Sequence, residues 1–223
     1  MKTVIILGAT GLTGGVLLKK LLEDERYSLI KVFSRSPVGF SHPKLEEHLL
    51  DLFNLEKAKA DFTGDEIYCC VGTTKAKTPD LEIYRKVDYG IPVAAAKLAK
   101  QNSIDSFLVI SALGVEPDSR FFYNRIKGEM ERDVLQLGLS ETYFFQPSLI
   151  SGDRKEKRTF EKIFKQVMKV GNYLLVGPLE KYRSIHPEEI ARAMIEVANN
   201  SFPEVRIESD KIKEIAKTVE KHS

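Results

Sequence analysis

Three side chains in the middle of the sequence have the types and spacing needed for proton and hydride transfer. Tyr123 and Lys127 are four residues apart in a helical pattern, so both lie on one helix face within reach of a common ligand. Ser111 ends an apolar run predicted to be a strand, at the edge where open α/β sheets bind ligands. Tyr123 could act as acid or base on a substrate oxygen that Ser111 also contacts. Lys127 would then hold a ribose and lower the pKa of the tyrosine.

A tyrosine and a lysine at this spacing are weak evidence alone. With eight tyrosines in the chain, about one chance match is expected, and Tyr27 with Lys31 supplies one at the edge of a predicted strand. The alternative for Tyr123 and Lys127 is a half-buried tyrosine beside a surface lysine. Their position downstream of Ser111 favours the catalytic interpretation.

A glycine-rich turn near the N-terminus has the pattern of a phosphate site. Gly8 follows an apolar strand and permits a tight turn, Gly11 lets the backbone approach a pyrophosphate, and Gly14 lets the next helix pack close to the sheet. The first helical N–H groups would face the phosphates. The alternative is a purely structural turn. The residues expected to bind the cofactor here are Gly8, Thr10, Gly11, Leu12, Thr13 and Gly14.

The end of the second predicted strand indicates which dinucleotide is bound. A site selective for NAD usually has a carboxylate here for the ribose 2′-OH, whereas this chain has Ser34 and Arg35. A guanidinium fork offers charge-assisted donors to a 2′-phosphate, so the predicted cofactor is NADP(H). The alternative for Arg35 is a surface residue at a strand end. Asp51, after a weak third strand, could accept from the adenine amino group or be an ordinary turn carboxylate.

Short apolar runs alternate with helical patterns and must position these residues. Such alternation predicts right-handed crossovers and an α/β fold with a doubly wound parallel sheet. We expect one NAD(P)-binding Rossmann domain over residues 1–223, with 148–223 forming a small substrate-side region. Strands are predicted at 3–7, 29–33, 67–71, 107–110 and 142–145, with a weaker one at 47–50. Helices are predicted at 12–23, 93–100 and 122–137.

The composition fits one globular domain and argues against several partners. The net charge of +2 gives no strong attraction to nucleic acid, and no apolar run approaches the roughly 20 residues that cross a bilayer. Cys69 and Cys70 are adjacent, so they are poorly placed to bridge each other. We therefore expect a small-molecule substrate, no nucleic acid, no stable membrane insertion, no metal ligands and a cytoplasmic location.

The ordered motifs resemble the atypical branch of the short-chain dehydrogenase/reductase superfamily over about the first 130 residues. The residues that carry this resemblance are Gly8, Gly11, Gly14, Arg35, Ser111, Tyr123 and Lys127. The strings at 7–11, 69–74 and 127–129 are more narrowly similar to the oxidoreductase-like Tat-interacting protein group. They are also similar to bacterial proteins labelled sugar-nucleotide epimerases. This narrower resemblance extends to about Ala198.

The resemblance implies further site residues and an oligomeric state. Gly72 and Thr73 would line an NADP(H) cofactor, and Pro147 with Ser148 would cover its nicotinamide side. Dimers through the helices after the fourth and fifth strands are also implied, so a homodimer is expected. Related proteins often have Asn in the helix after the fourth strand to hold a proton-relay water, whereas this chain offers Asp88.

Three functions fit these features. The favoured one is an NADP(H)-dependent oxidoreductase, a reductase or dehydrogenase that acts on a small carbonyl or hydroxyl compound through Ser111, Tyr123 and Lys127. The second is an NADP(H)-binding redox sensor or regulatory protein with little turnover. A nucleotide-sugar epimerase is the least favoured, because only about 75 residues follow Ser148 to build a sugar site. The presence of all three catalytic types favours the enzyme.

Two features of the C-terminal part remain open. The charged stretch 153–158 precedes an amphipathic pattern that fits a core-facing helix or, less readily, a membrane or partner surface. His186 precedes a predicted helix and could contact substrate or lie in the helix cap. The aromatic residues that could line an apolar pocket or the core are Phe121, Phe122, Phe160, Phe164 and Tyr173.

Overall fold

The computed structural model describes residues 1–151, 177–200 and 202–220. In these residues seven strands form one sheet in which every neighbouring pair is parallel, in the order β3-β2-β1-β4-β5-β6-β7. The strands are β1 (Lys2–Leu7), β2 (Tyr27–Ser34), β3 (Leu45–Leu49), β4 (Glu66–Cys69), β5 (Ser106–Ile110), β6 (Glu141–Gln146) and β7 (Arg206–Glu208). The order reverses direction between β1 and β4, and such switch points are where doubly wound sheets bind ligands.

Helices cover both faces of this sheet. The α-helices are α1 (Leu12–Glu23), α2 (Leu81–Arg85), α3 (Ile91–Gln101), α4 (Phe122–Leu135), α5 (Pro187–Asn199) and α6 (Ser209–Glu220). A π-helical segment, Lys86–Gly90, joins α2 to α3, and 3₁₀ turns cover Leu52–Ala58 and Gly177–Tyr182. No helix in the described part of the chain is long and apolar enough to cross a membrane.

The core consists of two apolar layers separated by the sheet. Consecutive strand residues point to opposite faces, so Val4 and Ile6 of β1 join the layer under α1 and α5, while Ile5 and Leu7 join the layer under α3. All four side chains have no exposed surface. This two-sided burial explains why a central strand such as β1 is a continuous apolar run rather than an alternating pattern.

A chain of polar groups, buried at its centre, crosses the end of the sheet opposite the strand carboxyl ends. The Asn199 amide of α5 donates to the Tyr27 hydroxyl at 2.6 Å, and that hydroxyl lies 3.1 Å from the Tyr68 hydroxyl. Tyr68 donates to Glu66 at 2.6 Å, and Lys2 pairs with the same carboxylate at 2.7 Å. The Lys2 ammonium also donates to the Ala198 carbonyl at 2.9 Å. Together these contacts bind α5 to the central strands.

The predicted doubly wound parallel sheet is confirmed. The weak third strand exists and pairs with β2, although it covers Leu45–Leu49 rather than 47–50. Short or strongly charged elements escaped prediction, namely α2, β7 and α6. The charged stretch 153–158 and its amphipathic continuation, with Phe160, Phe164 and Tyr173, lie outside the described residues.

Candidate active site

The glycine turn is held tightly between β1 and the end of β4. Gly8 has φ +86°, and a Cβ there would lie 2.7 Å from the Cys70 carbonyl group. The Gly11 N–H donates to the Gly8 carbonyl at 2.9 Å, which closes the turn. A Cβ on Gly14 would overlap the Gly8 carbonyl oxygen and lie 2.8 Å from its carbon. Gly8 and Gly14 are therefore required by the fold itself.

Gly11 has a different environment. Its φ of −84° and ψ of 174° suit any residue, and an added Cβ would meet only the Gly8 carbonyl oxygen, at 3.1 Å. Gly11 is the N-cap of α1, and no side chain caps this helix end. The first-turn N–H groups, which lack intrahelical acceptors, are thus free of a side-chain cap. Such a helix end suits an anion, so the turn fits the phosphates of a dinucleotide.

Ser34 and Arg35 lie where β2 ends at the same sheet edge. Ser34 is buried and its hydroxyl donates to the Ser36 carbonyl at 2.7 Å, whereas Arg35 is exposed. Asp51 begins the 3₁₀ turn after β3, where its carboxylate accepts from the Phe53 N–H at 3.0 Å and the Asn54 amide at 3.2 Å. These contacts are those of a turn carboxylate, and the adenine contact of Asp51 stays a prediction.

Ser111 lies directly after β5, where its backbone is hydrogen-bonded but its hydroxyl is not. Its N–H donates to the Phe145 carbonyl of β6 at 2.7 Å. Its hydroxyl is buried and has no hydrogen-bond partner among the described residues. A buried hydroxyl without a partner costs stability, so this atom is suited to a ligand.

Lys127 projects from α4 to the end of the same strand. Its ammonium donates to the Ile110 carbonyl, the residue before Ser111, at 3.2 Å and is only 3% exposed. Tyr123 lies one turn earlier, keeps 40% of its surface exposed and packs edge-on against the Tyr84 ring at 6.5 Å. The structure therefore brings Ser111, Tyr123 and Lys127 to one sheet edge.

Asp88 is the residue whose role the sequence did not reveal. It lies in the π-helical segment, is 1% exposed, and places one carboxylate oxygen 3.2 Å from the Lys127 ammonium. The other oxygen accepts from the Thr73 N–H at 2.8 Å. A Cβ on Gly72 would lie 3.5 Å from Asp88 and 4.0 Å from the Lys127 nitrogen. The predicted cofactor loop and the predicted catalytic helix thus meet at Asp88.

Asp88 changes the electrostatics expected for Tyr123. Desolvation by the surrounding protein raises the pKa of Tyr123, Lys127 lowers it and Asp88 raises it, so that the pKa lies above its usual value. Burial is the largest single effect on Lys127 and lowers its pKa, but Asp88, Tyr123 and Cys69 together outweigh it and raise the pKa above its usual value. The predicted lowering of the tyrosine pKa by Lys127 is therefore present but outweighed. The main physical reason is that the surrounding protein desolvates the phenol, and the Asp88 carboxylate adds to this effect.

The predicted site residues after β6 make hydrogen bonds to other parts of the fold. Pro147 is buried, and its carbonyl accepts from the Leu113 N–H at 3.1 Å. The Ser148 hydroxyl donates to the Arg183 carbonyl and accepts from the Ser209 hydroxyl at 3.0 Å, so it is engaged with the C-terminal part. His186 is the exposed N-cap of α5, and its N–H donates to the Glu189 carboxylate at 2.8 Å. The helix-cap alternative for His186 is the one that this geometry favours.

Comparison with curated proteins assigns the chain to a family. No family model matches the sequence. Protein FMP52, mitochondrial, of Meyerozyma guilliermondii is 31% identical over 220 residues, 92% of this chain and 90% of that protein. Protein HTATIP2 of Rattus norvegicus is 32% identical over 164 residues, 72% of this chain and 67% of that protein. The chain belongs to the HTATIP2 and FMP52 family. The predicted resemblance to the Tat-interacting protein group is confirmed.

Solved structures of related shape place this HTATIP2 and FMP52 relative among Rossmann-type proteins. UDP-glucose 4-epimerase of Thermotoga maritima has a TM-score of 0.69 at 12% identity, covering 97% of this chain and 82% of that one. Vestitone reductase of alfalfa has a TM-score of 0.64 at 19% identity, covering 92% and 76%. At such low identity the likeness establishes the fold alone.

The relatives also correct one prediction. Six fungal FMP52 relatives are named as mitochondrial proteins, which contradicts the predicted cytoplasmic location. That prediction depended on the absence of secretory and membrane-spanning signals. Such an absence does not distinguish the cytoplasm from the interior of an organelle.

Proposed function

We propose that this HTATIP2 and FMP52 relative is an NADP(H)-dependent oxidoreductase that acts on a small carbonyl or hydroxyl compound through Ser111, Tyr123 and Lys127. The observation that carries the proposal is the buried Ser111 hydroxyl without a partner in the described part of the chain. It lies next to Ile110, whose carbonyl holds Lys127. A donor in this position suits the oxygen of a substrate.

The cofactor assignment is supported by the residues present. The uncapped first turn of α1 and the close packing at Gly8 and Gly14 suit a pyrophosphate. Arg35 is exposed at the end of β2, where a 2′-phosphate would be recognised. When bound, a reduced nicotinamide would supply the hydride. The names of the fungal relatives support a mitochondrial location for this chain.

Each catalytic side chain has a distinct task in this proposal. The Ser111 hydroxyl donates a hydrogen bond to the carbonyl oxygen and so orients it. Tyr123 gives its phenolic proton to that oxygen as negative charge develops there. Lys127, fixed by Ile110 and Asp88, contributes positive charge beside the phenol. The exposed face of Tyr123 leaves room for a substrate to reach the proton.

The test is Tyr123→Phe, which removes the proton donor and little else. Hydride transfer should fall at least about a hundredfold, because general acid–base catalysis supplies roughly 10²- to 10⁴-fold, while NADPH affinity stays near native. Tyr89→Phe is the matched control: Tyr89 donates to Asp133 at 2.7 Å, and this variant should keep native turnover. NADPH absorbance is followed with a panel of aldehydes, ketones and quinones.

A cofactor sensor is the second candidate, and one observation favours it. The Lys127 ammonium is buried against Asp88, as a purely structural ion pair would be. If the native protein oxidises no NADPH with any compound of the panel, the enzyme proposal fails. Binding of a protein partner that changes with cofactor state, and is indifferent to Tyr123→Phe, would then support the sensor.

A further inference from the structure

Asp88 makes contacts that join three elements at one point. It belongs to the π-helical segment Lys86–Gly90, and its two oxygens bind the Thr73 N–H after β4 and the Lys127 ammonium of α4. Asp88 and Lys127 are 1% and 3% exposed, so water does little to screen this pair. π-Helical turns are often found at functional sites because they re-aim a side chain. Here the turn aims a carboxylate at Lys127.

The ion pair is the main charged neighbour of the proposed proton donor. The charges that act on Tyr123 are Lys127 from its own helix and Asp88 from the π-helical segment, and the Tyr84 ring packs on it from α2. The Cys69 thiol of β4 faces Lys127, and burial raises the pKa of that thiol to about 11, so it carries no charge near neutrality. Asp88 is therefore the group that compensates the Lys127 charge.

We propose that Asp88 is a positioning residue that compensates the charge of Lys127 and, together with the burial of the side chain, keeps Tyr123 as a proton-carrying phenol, which suits the site to carbonyl reduction. The proposal rests on the proposed function. In reduction the Tyr123 O–H bond breaks and its proton goes to the substrate oxygen, as the carbonyl π pair moves onto that oxygen. The hydride that a reduced nicotinamide dinucleotide supplies becomes the new C–H bond. The phenolate then regains a proton from water.

The same carboxylate couples the proton donor to the cofactor loop. The Asp88–Thr73 bond fixes the start of the loop, and Gly72 lies against both members of the ion pair. A ligand that moves Gly72 or Thr73 therefore also disturbs the compensation of Lys127. Oxidation of an alcohol needs the opposite state, a phenolate that accepts a proton, and the charge on Asp88 disfavours that state.

The decisive variant is Asp88→Asn, which keeps the size of the side chain and an oxygen acceptor for Thr73 but removes the charge. The readout is the ionisation of Tyr123 in the protein alone, without cofactor or substrate, by ¹³C NMR of ring-labelled tyrosine. The Tyr123 signal is assigned by its loss in Tyr123→Phe. In the native protein it should titrate above the usual range of a tyrosine, and in Asp88→Asn about one pH unit lower or more.

A second buried carboxylate gives the control. Glu131 lies one turn beyond Lys127 on α4, is 2% exposed, and binds Gln146 and Arg206. Glu131→Gln should leave the Tyr123 titration unchanged. An unchanged titration in folded Asp88→Asn overturns the proposal. In an active enzyme, Asp88→Asn should also shift the pH profile of alcohol oxidation to lower pH.

The double variant Asp88→Asn/Lys127→Met keeps the test decisive if the single variant does not fold, because it leaves no unpaired buried charge. It removes both charges, so Tyr123 should titrate within about half a pH unit of native. A shift of about one unit or more in the double variant overturns the proposal. The NMR titration needs no turnover. A shift in Asp88→Asn without any NADPH oxidation would refute the reductase assignment and leave the charge compensation by Asp88 standing.

Discussion

Replacing Gly11 with alanine separates the two roles of the glycine turn, because the fold tolerates a side chain there and a phosphate would not. The added Cβ meets only the Gly8 carbonyl oxygen at 3.1 Å, which needs a movement of a few tenths of an ångström. As an N-cap, alanine stabilises the folded helix less than glycine does, by about 1 kcal/mol. Alanine also lowers the conformational entropy of the unfolded chain, which stabilises the folded protein by about 0.4–1 kcal/mol. The free energy of unfolding should thus change by less than about 1 kcal/mol.

The expected loss of cofactor binding is much larger. The new methyl group would stand in front of the uncapped first turn of α1 and keep a phosphate from at least one N–H donor. A hydrogen bond to a charged group contributes about 1.5–3 kcal/mol, so NADPH should bind about 10- to 150-fold more weakly. Isothermal titration calorimetry gives the affinity, and urea unfolding of the protein alone gives the stability.

Gly14→Ala is the matched control, and unlike Gly11→Ala it should destabilise the fold itself. Its Cβ would overlap the Gly8 carbonyl oxygen, so α1 must move away from β1. Overpacking of this kind costs about 1–3 kcal/mol, partly offset by the better helix propensity of alanine. The reasoning is refuted if folded Gly11→Ala binds NADPH within about twofold of native, which would make the turn structural only.

Two further predictions concern the cofactor phosphate and the cysteines. Arg35 is exposed, and it makes no hydrogen bond or ion pair with residues 1–151, 177–200 and 202–220, so none of these occupies its guanidinium group. NADPH should bind at least about tenfold more tightly than NADH. Arg35→Asp should reverse that order. Equal affinities of the native protein for the two cofactors, measured at matched ionic strength, would contradict the assignment of Arg35 to the 2′-phosphate. Burial raises the pKa of Cys69 to about 11, so a thiol reagent at pH 8 should label the native protein far more slowly than the urea-unfolded chain. Labelling of Cys69 should speed up about tenfold per pH unit below that pKa, and equal rates for native and unfolded protein at pH 8 would show the thiol to be accessible.

The sequence was sufficient for the parts of the site that depend on local pattern. The strand-turn-helix context identified Gly8 and Gly14, and the structure gives each a steric reason. The spacing of Tyr123 and Lys127 placed both on α4, and the apolar run before Ser111 located the end of β5. These features follow from helical and strand periods that a single sequence displays.

Asp88 could not be interpreted in that way because its role comes from three segments brought together by the fold. Nothing in its neighbourhood in the sequence indicates that the Thr73 N–H and the Lys127 ammonium lie on either side of it. The π-helical turn also shifts the face on which a residue lies, which defeats reasoning from a 3.6-residue period. By contrast, Ile212, Ile215 and Ala216 of α6 do have helical spacing, so that helix carried a readable signal.

The chain of polar groups from Lys2 to Asn199 also constrains when this protein can finish folding. Synthesis proceeds from the N-terminus, so β1 and β2 leave the ribosome long before α5 exists. Lys2 bonds to a carbonyl 196 positions later, and Tyr27 to an amide 172 positions later. Until α5 emerges, Tyr27 lacks that partner and the apolar side of α1 on which α5 packs stays uncovered. A nascent chain that stops before α5 therefore exposes apolar surface, as aggregation-prone folding intermediates do, and the covering of this face of the sheet is a late step in folding.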